Sequence, residues 1–170
     1  MDSQLHDGLN THLRLEFQAW YDYLGMTNWL ELHDLPGMAT WVKQQSADEL
    51  THAQKIIDHL LERDLTVTLN SIPQPPKDWA DVKAVAENVL SNEQMVTASI
   101  EALYTRAEQV ADRPTILMLQ WFIAEQVEEE NAARALLGRL KLAGDQGVGL
   151  LMIDQELASG TVPGAMPEGE

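Results

Sequence analysis

The sequence predicts an all-α fold: a four-helix bundle with one long crossover and a short fifth helix at the C-terminus. Four long segments repeat apolar residues at alternating steps of three and four, as helices that face a common core do. Short breaks separate the first segment from the second and the third from the fourth, which is typical of antiparallel helical hairpins. Between the hairpins, residues 64–77 contain three prolines and are long enough to run along the bundle.

The helix ends follow from capping and breaking residues. Asp34 is a candidate N-cap for the second helix, and Pro36 suits its first turn. Asp78 is the expected cap of the third helix. We expect residues 1–160 to form a single domain and residues 161–170, rich in Gly and Pro, to be a disordered tail. The predicted helices cover, approximately, residues 2–33, 36–63, 78–111, 114–143 and 148–157.

Composition excludes several classes of function. Among 170 residues, 27 are acidic and 11 basic, so the net charge is −16. Such a chain repels nucleic-acid phosphate and anionic membranes, and it attracts cations, although ordinary acidic proteins share this balance. The absence of cysteine excludes disulfides and thiolate metal sites. Neither a signal peptide nor an apolar run of about 20 residues is present, so we expect a cytoplasmic location.

Each predicted helix carries polar residues near the middle of its apolar seam. Residues three apart on a helix point the same way. The second and fourth predicted helices therefore each present a pair of polar side chains to the core. An ionised carboxylate taken out of water costs several kcal/mol, and several at one level of a core require compensating cations. We therefore predict a metal site from the interrupting residues: Glu16, Glu49, His52, Glu93, Gln126 and Glu129.

Other seam residues carry weaker signals. The same steps place Trp20 and Tyr23 on the seam of the first helix. Gln45 and His59 also fall on the seam of the second helix, and we interpret them as polar core residues without a role in metal binding.

The ligand set suits two neighbouring ions. Glu16, Glu49 and His52 are assigned to the first ion. Glu49 stands opposite both Glu16 and Glu93, so it can bridge to a second ion, whose other ligands are Glu93 and Glu129. Gln126 is a weak, neutral ligand or a hydrogen-bond partner at this second ion. Oxygen ligands with a single nitrogen suit iron, manganese or zinc, and the weaker second position leaves room for dioxygen or water.

Several motifs together resemble a known family. They are Glu16, Tyr23, Asp48-Glu49 with His52, Glu93, the run Gln120-Trp121 through Glu125-Gln126 to Glu128-Glu129-Glu130, and the closing residues 149–157. Over about residues 5–160 the chain resembles the prokaryotic non-haem ferritins, a family with a ferritin-like four-helix bundle and a short fifth helix.

The resemblance implies a ferroxidase that oxidises Fe(II) with dioxygen or hydrogen peroxide and stores Fe(III) mineral inside a shell of 24 identical subunits. It implies catalytic roles for Glu16, Glu49, His52, Glu93 and Glu129, with Tyr23 as a redox-active or hydrogen-bonding neighbour. It also implies a third iron site, which shares Glu93 and adds Asp48, Glu125 and Glu128.

Two departures from related families bear on cofactors. Haem-binding bacterioferritins carry a methionine between the Glu and His of the second helix, where this chain has Leu50 and Thr51, so no haem is expected. They also repeat the Glu-x-x-His pair on the last helix, where this chain has Gln126 and Glu129. Two alternatives remain open: a di-iron peroxidase or oxygenase of the same bundle type, and a metal-free structural bundle whose acids form a solvated surface.

Overall fold

In the computed structural model, which describes residues 1–144 and 146–160, the chain forms five α-helices and no strand. The prediction of an all-α fold is therefore confirmed for these residues. The predicted tail, residues 161–170, lies outside them. The helices are α1 Ser3–Leu32, α2 Pro36–Leu61, α3 Val82–Gln109, α4 Arg113–Ala143 and α5 Gly147–Ala158.

The helices pack as two hairpins joined by a long crossover. α1 packs against α2, α3 packs against α4, and α1 also contacts α3. The connection between α2 and α3 runs along α1 from one end to the other, as the sequence predicts. Its side-chain hydrogen bonds to α1 join His6 to Thr66, Asn10 to Thr68, Gln18 to Pro73 and Trp29 to Asp78.

Two helix caps differ from the sequence prediction, although α2 begins at Pro36 as expected. α3 begins at Val82 with Asp81 as its cap, whose side chain accepts from the Ala84 amide at 2.7 Å. Asp78 instead accepts from the Trp29 indole at 2.7 Å, a contact that binds the crossover to α1. Asp34 does not cap α2, because it lies in the left-handed region with φ 57°.

The missing cap of α2 comes from the far end of the chain. Leu35 occupies the cap position and offers no side-chain acceptor. The carboxylate of buried Asp154, on α5, accepts from the Met38 amide at 2.8 Å and so satisfies one of the free donors of the first turn. A Cβ at Gly37 would lie 1.8 Å from the Asp154 backbone oxygen. Only glycine therefore allows α5 to approach α2 this closely.

The core consists of two apolar blocks with a polar layer between them. The first block, around Leu9, Ile56 and Ile100, fills one end of the bundle, and the second, around Met26 and Leu136, fills the other. On each of α1 to α4 the residues of one block precede the layer and those of the other follow it. We define the polar layer as the buried residues Glu16, Glu49, His52, Glu93 and Gln126.

The seam prediction holds at most positions of α1 to α4. Glu129 is only half-buried, and so is His59, whose neighbour Leu60 is buried instead. Trp20, expected in the core, is only half-buried, and Ala19 takes its place at 4 % exposure. Within the described residues, no helix has a stretch long and apolar enough to cross a membrane.

The contact at Gly37 predicts a specific destabilisation. Gly37→Ala forces its new methyl group against the α5 backbone, so we expect unfolding to become easier by about 1–3 kcal/mol. The matched control is Gly138→Ala, because no atom lies within 4 Å of a Cβ there. At this interior helical position alanine is expected to raise stability by up to about 1 kcal/mol. Thermal unfolding followed by circular dichroism measures the stability of both variants. A Gly37→Ala variant that melts at the same temperature as the unaltered chain would contradict the close docking of α5.

Candidate metal centre

Glu16, Glu49 and His52 form the one set of three metal-ligating side chains that converge within the described part of the chain. Glu49 and His52 lie one turn apart on α2, and Glu16 faces them from α1. One ligand atom from each lies within 4.8 Å of the other two. His52 Nδ1 is 3.3 Å from Glu49 Oε2 and 3.8 Å from Glu16 Oε2. This spacing fits one ion held by two carboxylates and an imidazole.

The facing atoms of this set lack hydrogen bonds. Glu16 Oε2, Glu49 Oε2 and His52 Nδ1 are buried and have no hydrogen-bond partner among the described residues. A buried polar atom without a partner carries its full desolvation penalty, and more when it is charged. Because three such atoms converge on one point, a cation there would satisfy all of them together. The triad is therefore suited to binding a metal ion.

Two aromatic rings pack against His52. Its imidazole meets Trp121 and Phe122 edge-on, with ring centroids 5.5 and 5.7 Å away. The Lys55 amine lies over the Trp121 ring, 4.2 Å from its centroid. Apolar walls of this kind fix the orientation of the imidazole and reduce the local dielectric, which strengthens its interaction with a cation.

The second half of the centre is already hydrogen-bonded. Tyr23 donates its hydroxyl to Glu93 Oε1, and the Gln126 amide donates to Glu93 Oε2 at 3.1 Å. Glu129 is half-buried and accepts from the Gln45 amide. Glu93 and Glu129 belong to no converging set of three ligands in the described residues. Their assignment to a second ion therefore stays a prediction.

Burial changes the protonation of the carboxylates. Burial, with the neighbouring charges of Glu16 and Glu93, raises the pKa of Glu49 well above its usual range. Burial and the charge of Glu93 raise the pKa of Glu129 to about 7. The pKa of Glu93 is also raised, mainly by burial. Without a metal, the layer consequently lowers its own repulsion by binding protons, and a metal ion must displace them.

The pKa of Glu16 is lowered, not raised, because His12 lies beside its carboxylate. Burial alone would raise its pKa, but His12 Nε2 lies 2.8 Å from Glu16 Oε1, and the pKa of this carboxyl falls below its usual value. The pKa of His52 is raised, since its interactions with Glu16 outweigh the opposing effect of burial. Glu16 is thus the carboxylate of the layer that is held ionised and ready for a cation.

Two residues support the centre in ways that were not predicted from the sequence. His12 is fully buried, contacts Glu16 through Nε2 and lies 2.9 Å from Ser99 Oγ through Nδ1. Its position four residues before Glu16 places it on the same face of α1, which is the signal that could have identified it. Gln45, interpreted as a plain core residue, orients Glu129 through its amide.

The three residues of the implied third site lie at the edge of the layer. Asp48 is half-buried and accepts from the Gln44 amide at 3.0 Å, Glu125 is half-buried and Glu128 is exposed. They form no converging set of three ligands within the described residues. The third iron site stays a prediction.

The chain is similar to known proteins over most of its length. A family model described as a ferritin-like domain matches residues 6–143. The chain is 30 % identical to a bacterial non-heme ferritin of Escherichia coli O6:H1 over 156 residues, 92 % of this chain and 94 % of the relative. It is 33 % identical to a bacterial non-heme ferritin of Campylobacter jejuni over 147 residues, 86 % of this chain and 88 % of the relative.

Solved structures show the same similarity. An open-pore ferritin from the archaeon Archaeoglobus fulgidus superposes with a TM-score of 0.90 at 35 % identity, covering 93 % of this chain and 97 % of that one. A humanized archaeal ferritin superposes with a TM-score of 0.91 at 34 % identity, covering 93 % and 96 %.

The protonation of the layer predicts a pH-dependent affinity for divalent ions. Because Glu129 has a pKa of about 7 and must lose its proton to ligate, the second ion should bind more weakly as the pH falls below that value. We expect the affinity to fall about fivefold between pH 7 and pH 6, and by close to tenfold per pH unit below that. Anaerobic titration with Co(II), which is not oxidised under these conditions, measures this. Glu129→Gln, which cannot titrate, should bind the second ion weakly at every pH, and a pH-independent second affinity in the unaltered chain would contradict the assignment.

Proposed function

The chain belongs to the ferritin-like domain family, and we propose that it stores iron by oxidising Fe(II) at the polar layer and retaining Fe(III) as a mineral. The convergence of Glu16, Glu49 and His52, with three buried ligand atoms that lack hydrogen bonds, carries this proposal. The similarity to bacterial non-heme ferritins over most of the chain supports iron as the metal.

The proposed reaction uses two Fe(II) ions side by side. The first is held by Glu16, Glu49 and His52, and the second by Glu93 and Glu129, with Glu49 between the two. Each Fe(II) gives up one electron, so a pair reduces one dioxygen to hydrogen peroxide with the uptake of two protons. Carboxylates stabilise the higher charge of Fe(III), which lowers the free energy of the oxidised pair relative to the reduced one. Hydrogen peroxide is the alternative oxidant of the same pair.

The inequality between the two halves suits this reaction. The first ion would meet atoms that have no other partner, whereas the second would compete with hydrogen bonds from Tyr23 and Gln45. We therefore infer that the first ion binds more tightly than the second. Dioxygen reacts at the second position, and Fe(III) leaves from it. Tyr23 is placed to orient Glu93 at the second ion or to supply an electron.

Fe(III) would leave along the acidic flank of α2 and α4. Asp48, Glu125 and Glu128 are all more accessible than the residues of the layer, and we propose that they form a third iron site with Glu93. Haem has no part in this scheme: Leu50 and Thr51, between Glu49 and His52, are exposed and carry no haem ligand. We expect the protein to act in the cytoplasm.

Substitution of the triad tests the ferroxidase proposal. Glu49→Ala removes a ligand from both ions, and His52→Ala removes the only nitrogen ligand, so each should reduce the initial rate of Fe(II) oxidation at least tenfold. Glu87→Ala is the control, because it removes one negative charge from an exposed position of α3. The rate is followed by the absorbance of Fe(III) after mixing with aerated buffer. Unchanged rates in both triad variants would refute the proposal and favour a metal-free structural bundle.

The oligomeric state of the protein distinguishes an iron-storage ferritin from a di-iron peroxidase or oxygenase. If the chain stores mineral, it should elute as a hollow shell with about 24 times the 19.0 kDa subunit mass and retain iron after oxidation. Size-exclusion chromatography with light scattering gives the mass, and iron analysis of the same fraction gives the loading. An iron-oxidising dimer without retained mineral would instead indicate a di-iron peroxidase or oxygenase.

A further inference from the structure

A small side cavity between α3 and α4 borders the second half of the centre. Its volume is about 160 Å³, enough for several water molecules. Gln126 of the polar layer forms part of its wall, and Thr97, Glu130 and Arg134 also line it. The exposure of these side chains rises from 2 % at Gln126 to 17 % at Glu130 and 51 % at Arg134. The cavity therefore connects the edge of the layer with the surface through polar groups.

These four residues form a continuous series of hydrogen bonds. Arg134 donates to Glu130 Oε2 at 2.6 Å, one turn earlier on α4. Thr97, on α3, donates its hydroxyl to Glu130 Oε1 at 2.7 Å. Gln126 donates its amide nitrogen to Thr97 Oγ at 3.3 Å. The ion pair with Arg134 thus fixes the position of the Glu130 carboxylate. This carboxylate orients the Thr97 hydroxyl, which in turn contacts the Gln126 amide in the polar layer.

The direction of these bonds fixes the orientation of the Gln126 amide. A hydroxyl has a single hydrogen, and Thr97 commits it to Glu130, so Thr97 can only accept from Gln126. Two more acceptors, the backbone oxygen and Oε2 of Glu93, lie 3.2 and 3.1 Å from the same amide nitrogen. The carbonyl oxygen, Gln126 Oε1, consequently points elsewhere. It is buried and has no hydrogen-bond partner among the described residues.

We propose that Thr97 and Glu130, held by Arg134, are positioning residues that keep the Gln126 carbonyl oxygen available to the metal ion bound by Glu93 and Glu129. An amide whose nitrogen is fully engaged and whose buried oxygen is free offers that oxygen to a cation. This inference rests on the proposed function, because it presumes the second ion. Residues that orient ligands in this way commonly change metal affinity by about 10- to 100-fold when they are substituted.

A second consequence concerns the loss of Glu130. Without this acceptor, Thr97 can turn its hydroxyl hydrogen toward Gln126. The amide could then rotate and satisfy its oxygen with Thr97, which would leave the nitrogen to face the ion. A nitrogen that carries two hydrogens cannot ligate a metal. Removing Glu130 should therefore weaken the second ion although Glu130 itself is not one of its ligands.

Anaerobic titration with Co(II) tests the proposal through two binding steps and the visible absorption spectrum of each bound ion. Thr97→Val keeps the shape of the side chain and removes the hydroxyl, so the second ion should bind about tenfold more weakly while the first stays within about twofold. Glu130→Leu should act in the same way. Thr97→Ser restores the hydroxyl and should restore both the second affinity and its spectrum. Thr105→Val is the matched control, because this exposed hydroxyl on α3 bonds only to the Glu101 backbone oxygen.

The outcomes distinguish this inference from the function on which it rests. Equal second-ion affinity in Thr97→Val and the unaltered chain would overturn the positioning role alone. So would a Thr97→Ser variant as weak as Thr97→Val, because the hydroxyl would then not be the cause. If the unaltered chain bound no second Co(II), the proposed two-ion centre would fail and the positioning role with it.

Discussion

Burial of the Glu16, Glu49 and Glu93 carboxylates between two apolar blocks is the constraint on which the rest of the structure depends. Each ionised carboxylate kept from water costs several kcal/mol, and a domain of this size has only about 5–15 kcal/mol of net stability. Part of the cost is offset within the chain, because His12 stabilises the charge of Glu16, and Tyr23 donates to Glu93. Protons offset more of it by binding to the carboxylates whose pKa values are raised. The buried atoms that still lack a hydrogen-bond partner include the converging Glu16, Glu49 and His52 set, which a cation would complete.

The helices and the layer could be predicted from the sequence because both depend on local periodicity. Steps of three and four placed Glu16, Glu49, Glu93 and Gln126 in the core, where the structure has them. The prediction was wrong for Trp20, since the step from Glu16 to Tyr23 passes equally well through Ala19, and the smaller residue is the one that fits inside.

Features that depend on distant parts of the chain could not be predicted in this way. The cap of α2 comes from Asp154, on α5, which no local rule connects to Met38. Asp78 and Asp81 are both suitable caps for α3, and the choice depends on the Trp29 indole, which engages Asp78. The orientation of the Gln126 amide likewise follows from Thr97, whose partners are set only when α3 and α4 pack together.

The two halves of the centre differ in how much of their bonding the protein already supplies. The Glu49 and His52 half leaves ligand atoms free. In the other half, amides and a hydroxyl engage the carboxylates of Glu93 and Glu129, and Gln126 Oε1 is the ligand atom left without a partner among the described residues. We propose that such a centre binds one ion more firmly than the other, as the proposed transfer of iron to a store requires. The same inequality explains why the triad alone stands out as a converging set.

The most direct test of this account is a crystal structure after anaerobic soaking with Fe(II), with anomalous scattering recorded at the iron edge. We predict two peaks inside the bundle: a stronger one bounded by Glu16, Glu49 and His52, and a weaker one beside Glu93 and Glu129. Peaks confined to exposed carboxylates, with none in the polar layer, would contradict the account.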